Sequence, residues 1–153
     1  MAKPPYELDF FEDAGGDKPC LRWIKEELTV EKRRIIGVAM EKVLQQHGMN
    51  VCEEKSWGRQ LGDGVFEFRI DRTQTITVKD RRGRKRKKTL KVVLRVFCHA
   101  HGQKRILLLH GYDKGESPSS SRQQREIRVA KARLRGWKQQ RRKQARRPKR
   151  RKP

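Results

Sequence analysis

The chain has 153 residues, of which 33% are hydrophobic and 39% charged, and its formal net charge is +23. Enough apolar material is present for one core of roughly 90–100 residues but not for a core spanning the whole chain, and no apolar segment approaches the ~20 residues of a membrane-spanning helix. So large a positive excess calls for a polyanionic neighbour (nucleic acid, ribosome or an acidic protein) to offset self-repulsion.

The charge is uneven. Eight of the eighteen acids precede Lys32, whereas Lys138 to Pro153 holds ten Lys/Arg and no acid. The start Met1-Ala-Lys-Pro-Pro-Tyr6 has no secretory apolar region, so a cytoplasmic protein without a membrane partner is expected. Cys20, Cys52 and Cys98 are odd in number and lack CxxC spacing, which reads as reduced thiols in a reducing compartment rather than a disulfide framework or zinc site.

Residues 1–17 form an N-terminal arm with a short edge strand at about 6–11. From Lys18, the spacing of Leu21, Ile24 and Leu28 is helical. Thr29 caps a second helix whose inward face is Ile35, Ala39, Val43 and His47, with Gly48 as its stop. Residues 49–60 read as a polar connection. A Gly62-Asp-Gly64 turn then delivers a strand of period two: Phe66, Phe68 and Ile70 face one side, and Val65, Glu67, Arg69 and Asp71 the other.

Residues 72–89 read as a mobile, basic inter-strand loop. Its cations Lys79, Arg81, Arg82, Arg84, Lys85, Arg86, Lys87 and Lys88 are candidate phosphate contacts. Leu90 to Gly115 reads as a central β-hairpin with a polar break at His99-Ala-His-Gly102. The last helix carries Ile127, Ala130, Leu134 and Trp137 on one stripe among Arg122, Arg125 and further cations. Residues 138–153, with Arg141, Arg142, Arg146 and Arg147, read as a basic tail, disordered unless bound. The fold class is therefore α+β: an N-terminal helical hairpin packed on a small twisted antiparallel β-sheet, a C-terminal helix and a basic tail, with the main domain over 18–137.

The chain has no P-loop, GxGxxG, HExxH or GxSxG motif. His99, His101 and His110 lack a carboxylate or Cys at ligand spacing, so neither metal nor cofactor is expected. What remains is a set at strand ends: Arg69, Arg95, Lys104, Arg105, His110, Tyr112 and Lys114. These residue types suit attack by an RNA 2′-hydroxyl on its neighbouring phosphate, which needs charge stabilisation, a proton acceptor and a proton donor but no metal. Equally, Arg95 and Arg105 are explained by a half-exposed sheet, and residue types alone leave both readings open.

Four segments in order, Leu61-Gly-Asp-Gly-Val-Phe-Glu-Phe-Arg69, Leu94-Arg-Val-Phe97, Arg105-Ile-Leu-Leu-Leu-His-Gly-Tyr-Asp-Lys114 and Arg122 to Leu134, resemble the RelE/ParE superfamily of type II toxins, in particular its HigB-like, phage-related branch. The resemblance covers about residues 18–137. It implies a compact α/β domain, cleavage of mRNA, commonly on the ribosome, and a cognate helix-turn-helix antitoxin protein. It also implies phosphate stabilisation by Arg69 and Arg95, with proton transfer and base stacking shared among Tyr112, His110 and Lys114. The chain departs from compact members in the long basic segment 72–89 and in the tail. Two other functions are compatible with the same pattern: a ParE-like gyrase inhibitor without nuclease activity, and a catalytically silent phage nucleic-acid-binding protein.

Overall fold

The computed structural model describes residues 3–146. Strand β1 (Glu7–Phe10) is followed by α1 (19–27) and α2 (30–47), then by β2 (Gly58–Gly62), β3 (Val65–Lys79), β4 (Lys85–His101), β5 (Arg105–Asp113) and α3 (Ser120–Arg146). No helix among the described residues is long and apolar enough to cross a membrane.

Local chemistry explains the helical hairpin. Pro19 opens α1, where its missing N–H costs nothing. The Thr29 hydroxyl oxygen accepts from the Lys32 N–H at 3.3 Å and caps α2. Arg33 donates to the carbonyls of Ile24, Lys25 and Leu28 at 3.1, 2.7 and 3.2 Å, satisfying the otherwise unpaired end of α1. Gly48 ends α2 at φ +54, and a Cβ there would lie 2.4 Å from the Tyr6 ring. The buried face of α2 is not the expected one: Ile36, Ala39, Met40 and Leu44 point inward, Ile35 and Val43 flank them, and His47 is exposed. The offset begins at Ile36, ahead of the π turn over Met40–Leu44: Lys32, Ile36, Ala39 and Met40 follow ordinary helical spacing, and the docking of α2 on the sheet decides which of two adjacent apolar residues turns inward.

The sheet order is β1-β5-β4-β3-β2. Four strands are antiparallel, as expected, but β1 pairs with β5 in parallel, from Glu7 opposite Arg105 to Phe10 opposite Leu108, so the sheet is mixed. The helical hairpin that follows β1 carries the chain across the sheet, which leaves β1 free to edge the last strand. Phe66, Phe68, Ile70, Leu94, Val96 and Leu108 pack against α1 and α2, forming the larger core. On the other face Val65, Phe97, Leu107 and Leu109 pack against Ile127, Ala130 and Leu134 of α3. Both faces of the sheet are thus helix-covered at its centre.

Three segments differ from the sequence expectation. Residues 58–60, expected in a polar connection, join Leu61 and Gly62 of the expected turn region in β2, with Arg59 opposite Glu67. Residues 72–89 are not a loop: β3 and β4 stay paired from Arg72–Val92 to Lys79–Lys85, past the points where β2 and β5 stop, as a two-stranded ribbon ~27 Å long at ~3.4 Å per residue. Its turn is held by Asp80, whose carboxylate accepts the N–H groups of Arg82 and Arg84, both at 2.9 Å, with Gly83 at φ +76. Residues 138–146 of the expected tail continue α3, and the rest of that tail lies outside the described residues.

Candidate functional site

Arg69, Arg95 and Tyr112 occupy directly opposed positions on β3, β4 and β5, and form one row across the sheet. The neighbouring row is Arg59, Glu67, Phe97 and His110. A register shift opposite Phe97 and Cys98 leaves Leu109 as an extra residue in β5. That bulge reverses the alternation of the strand. Leu107 faces α3 before it, and His110 and Tyr112 share the same face after it, while Gly111 and Asp113 turn to the helical hairpin.

The exit of β5 is locked from below. Gly111 lies under Trp23, with space for no side chain, since a Cβ would sit 2.4 Å from that ring. Lys32 of α2 forms an ion pair with Asp113 and a second, at 3.2 Å, with Glu116. The His110–Lys114 segment is therefore held by packing and charge.

At the centre of the two rows stands Glu67, which has no solvent exposure. It accepts from Arg69 Nε at 2.8 Å and from Gln123 Nε2 of α3 at 2.9 Å, while the guanidiniums of Arg59 and Arg95 stand 3.7 and 3.9 Å away. Arg95 is 5% exposed and also donates to Asp71 at 2.7 Å. The Tyr112 hydroxyl is buried without a hydrogen-bond partner among the described residues. Its ring stacks on Phe97, and burial, with the Glu67 charge, pushes the phenol pKa up to about 12. Burial and the Arg95 cation hold Lys114 below the usual lysine range.

His110 belongs to a second network. Its Nε2 meets Glu126 at hydrogen-bond contact, and Arg133 donates to its Nδ1 at 2.9 Å. Donation by Arg133 places the ring proton on Nε2, which is then given to Glu126, so the neutral imidazole is satisfied at both nitrogens. Burial is the main cause that keeps the His110 pKa below its ordinary value, with the Glu126 bond opposing it and Arg133 reinforcing it. Arg122 also binds Glu126, at 2.7 Å. His99 and His101 lie elsewhere: they stack on one another and edge-on to Trp137, with Arg141 over the indole at 4.6 Å. This contact lays the C-terminal turns of α3 along the end of β4.

The cations expected to bind nucleic acid separate into groups. Lys79, Arg81, Arg82, Arg84, Lys85, Arg86, Lys87 and Lys88 are all exposed on the ribbon or its turn. Arg125, Arg142 and Arg146 are exposed on α3, and Arg147 lies outside the described residues. Arg105 pairs across the parallel strand with Glu7 and Asp9 at 3.4 and 3.5 Å, Lys104 lies over the Tyr6 ring, and Arg122 is committed to Glu126, so these three are partly neutralised or shielded.

Of the seven residues expected to cluster, Arg69, Arg95 and Tyr112 form one row with Lys114 beside it, His110 is held next to it by Glu126 and Arg133, and Lys104 and Arg105 lie apart, at the opposite end of β5. Sequence reasoning did not single out Glu67, Asp71, Gln123, Glu126 or Arg133. The Glu-x-Arg spacing of Glu67 and Arg69 on a period-two strand was the available signal, because it puts both side chains on one face. Chemically, the cluster offers guanidiniums for a phosphate, a phenol that stays protonated at neutral pH, and an amine with lowered proton affinity.

No protein-family model matches the chain, and no curated protein matches it significantly.

Proposed function

We propose that this protein is a type II toxin of the RelE/ParE kind, a metal-independent endoribonuclease that cleaves mRNA on the ribosome in the cytoplasm and is neutralised by a helix-turn-helix antitoxin. The observation that carries this reading is the row Arg69–Arg95–Tyr112 with Lys114 beside it. Two guanidiniums stabilise the crowded phosphorane formed when the 2′-hydroxyl attacks the adjacent phosphate. Lys114, with its lowered proton affinity, takes the proton of that hydroxyl, and Tyr112 gives one to the departing 5′-oxygen. His110 positions the segment through Glu126 and Arg133 and is a positioning residue rather than a base, since both its ring nitrogens are engaged. In this account Gln123 and the start of α3 shift to admit RNA, because Arg95 and Tyr112 are almost wholly covered.

A second reading is supported by that same covering. With Glu67 fully buried among the arginines and Tyr112 closed off, the row also serves as a structural charge network in a catalytically silent nucleic-acid-binding protein. One experiment separates the two. Purified protein is added to a translating extract and mRNA 5′ ends are mapped. New ends that vanish with Arg95→Ala and Tyr112→Phe support the nuclease; unchanged ends at a dose that arrests translation leave only the binding protein.

A further inference from the structure

The ribbon formed by residues 72–92 packs on the domain only at its root, where Val92 enters the main core, Leu90 packs against it and Arg72 lies over the Trp57 ring. Its side chains are exposed on both faces apart from the half-buried Ile76, Asp80 and Leu90 along its length and the fully buried Val92 at its root. Between Arg72 and Lys91 it carries ten cations and, as its one acid, Asp80. Lys79 stands directly opposite Lys85 at the tip, an arrangement that costs stability unless an anion lies between them. An isolated two-stranded hairpin is marginal in water, yet this one has a tied turn and a continuous eight-pair register. The segment contains no aromatic residue, so it lacks the stacking platforms by which single strands are held.

These features fit a duplex backbone. Phosphates on two strands match a twisted ribbon with cations on both facets, and no base-reading side chain of the Asn or Gln kind lies near the tip. On the facet shared with Arg69 and Arg95, Thr73, Thr75, Thr77 and Lys79 face Lys91, Thr89, Lys87 and Lys85. At its root that facet runs through Asp71 and Val93 into the row Arg69–Arg95–Tyr112. A nucleic acid gripped by the ribbon therefore leads towards the proposed reaction site.

We propose that residues 72–92 are an arm that grips the phosphate backbone of double-stranded RNA and presents an adjoining single strand to Arg69, Arg95, Tyr112 and Lys114. The choice of RNA rests on the function proposed above; the choice of a duplex rests on the ribbon. A-form helices are recognised largely by shape and backbone, as this composition requires.

The test uses the full chain and three fluorescent probes: a 20-base-pair RNA duplex with a single-stranded overhang, the overhang strand alone, and the matching DNA duplex. The variant Lys85→Gln/Lys87→Gln/Lys91→Gln is expected to lose about tenfold or more in affinity for the RNA duplex. Its log–log salt dependence should become shallower by roughly 0.7–0.9 for each contact removed. The overhang strand alone should change less than about threefold, and Lys85→Arg/Lys87→Arg/Lys91→Arg should restore duplex binding, which separates lost charge from a melted ribbon. Unchanged duplex affinity, equal losses on duplex and single strand, or tighter binding to DNA than to RNA by the wild type would each overturn the proposal. Because these are binding measurements, they fail independently of strand scission, which decides the nuclease reading.

Discussion

Arg95 of β4 stands directly opposite Tyr112 of β5, and it does so only because Leu109 is an extra residue between the paired positions 108 and 110. Had β5 kept strict alternation after Leu107, Gly111 and Asp113 would face α3, and Tyr112 would point at Trp23. The bulge thus converts a strand that supplies core residues to both helical layers into one that adds a phenol to an arginine row.

Glu67 is the centre of charge balance in that row. Glu67→Ala should destabilise the fold by about 3–5 kcal/mol, because it leaves Arg95 buried with a diminished counter-charge. Glu67→Gln, which can still accept from Arg69, should cost less. Urea denaturation of the two variants checks the order; equal losses would mean that size rather than charge matters.

Tyr112→Phe separates stability from activity. The hydroxyl is buried without a partner among the described residues, so its removal should leave stability unchanged or raise it by up to about 1 kcal/mol. Under the proposed role of Tyr112 as proton donor in RNA cleavage, the same change should lower the rate by about 10²–10⁴-fold. Thermal melts and single-turnover cleavage on one preparation read both; a fully active Tyr112→Phe protein removes the phenol from the mechanism.

Acid should loosen the fold through its histidines. His99, His101 and His110 all have pKa values held below the ordinary histidine value, with burial the first cause in each. The folded state therefore binds protons less readily than the unfolded chain. This contribution to stability is complete above about pH 6.5 and declines as pH falls through that value towards the lowered folded pKa values. For His110 the physical event is protonation of Nδ1 against the Arg133 guanidinium. Melting temperatures between pH 7.5 and 5 should fall, with a smaller decline in His110→Gln; an identical decline would assign the effect to the other two.

Gly111 has no spare volume. Gly111→Ala would push a methyl group into Trp23 and should cost about 1–3 kcal/mol, through overpacking. It should also displace the neighbouring Tyr112, so near-ultraviolet circular dichroism of the Trp23 region and the cleavage rate should change together. A change in stability with an unaltered cleavage rate would uncouple the β5 exit from the site.

Features set by near neighbours along the chain were legible in the residues. The alternation of Phe66, Phe68 and Ile70 assigns the faces of β3, Thr29 marks a helix start, and Ile127, Ala130 and Leu134 mark the docked stripe of α3. Features that depend on cross-strand partners were not. The ribbon resembled a loop because its charge and turn residues hide a strand pattern in Thr73, Thr75, Thr77, Ile76 and Val78 whose pairing energy comes from residues 85–92. The α2 face is offset by one position because Ile35 and Ile36 are both apolar, and only the docking of the helix on the sheet decides which of them turns inward. Glu67 looked like one more solvent-facing acid, since nothing local indicates that β2, β4 and α3 will close over it.

Residue order along the chain is enough for an α+β domain with a basic surface, and for the candidacy of Arg69, Arg95, Tyr112 and Lys114, because periodicity and charge are local properties. The convergence of those residues, the burial of Glu67 among them and the extension of 72–92 into a paired arm arise only in the folded sheet. Strand register, a bulge of one residue and the docking of α3 are non-local, and each depends on contacts between segments far apart in the chain.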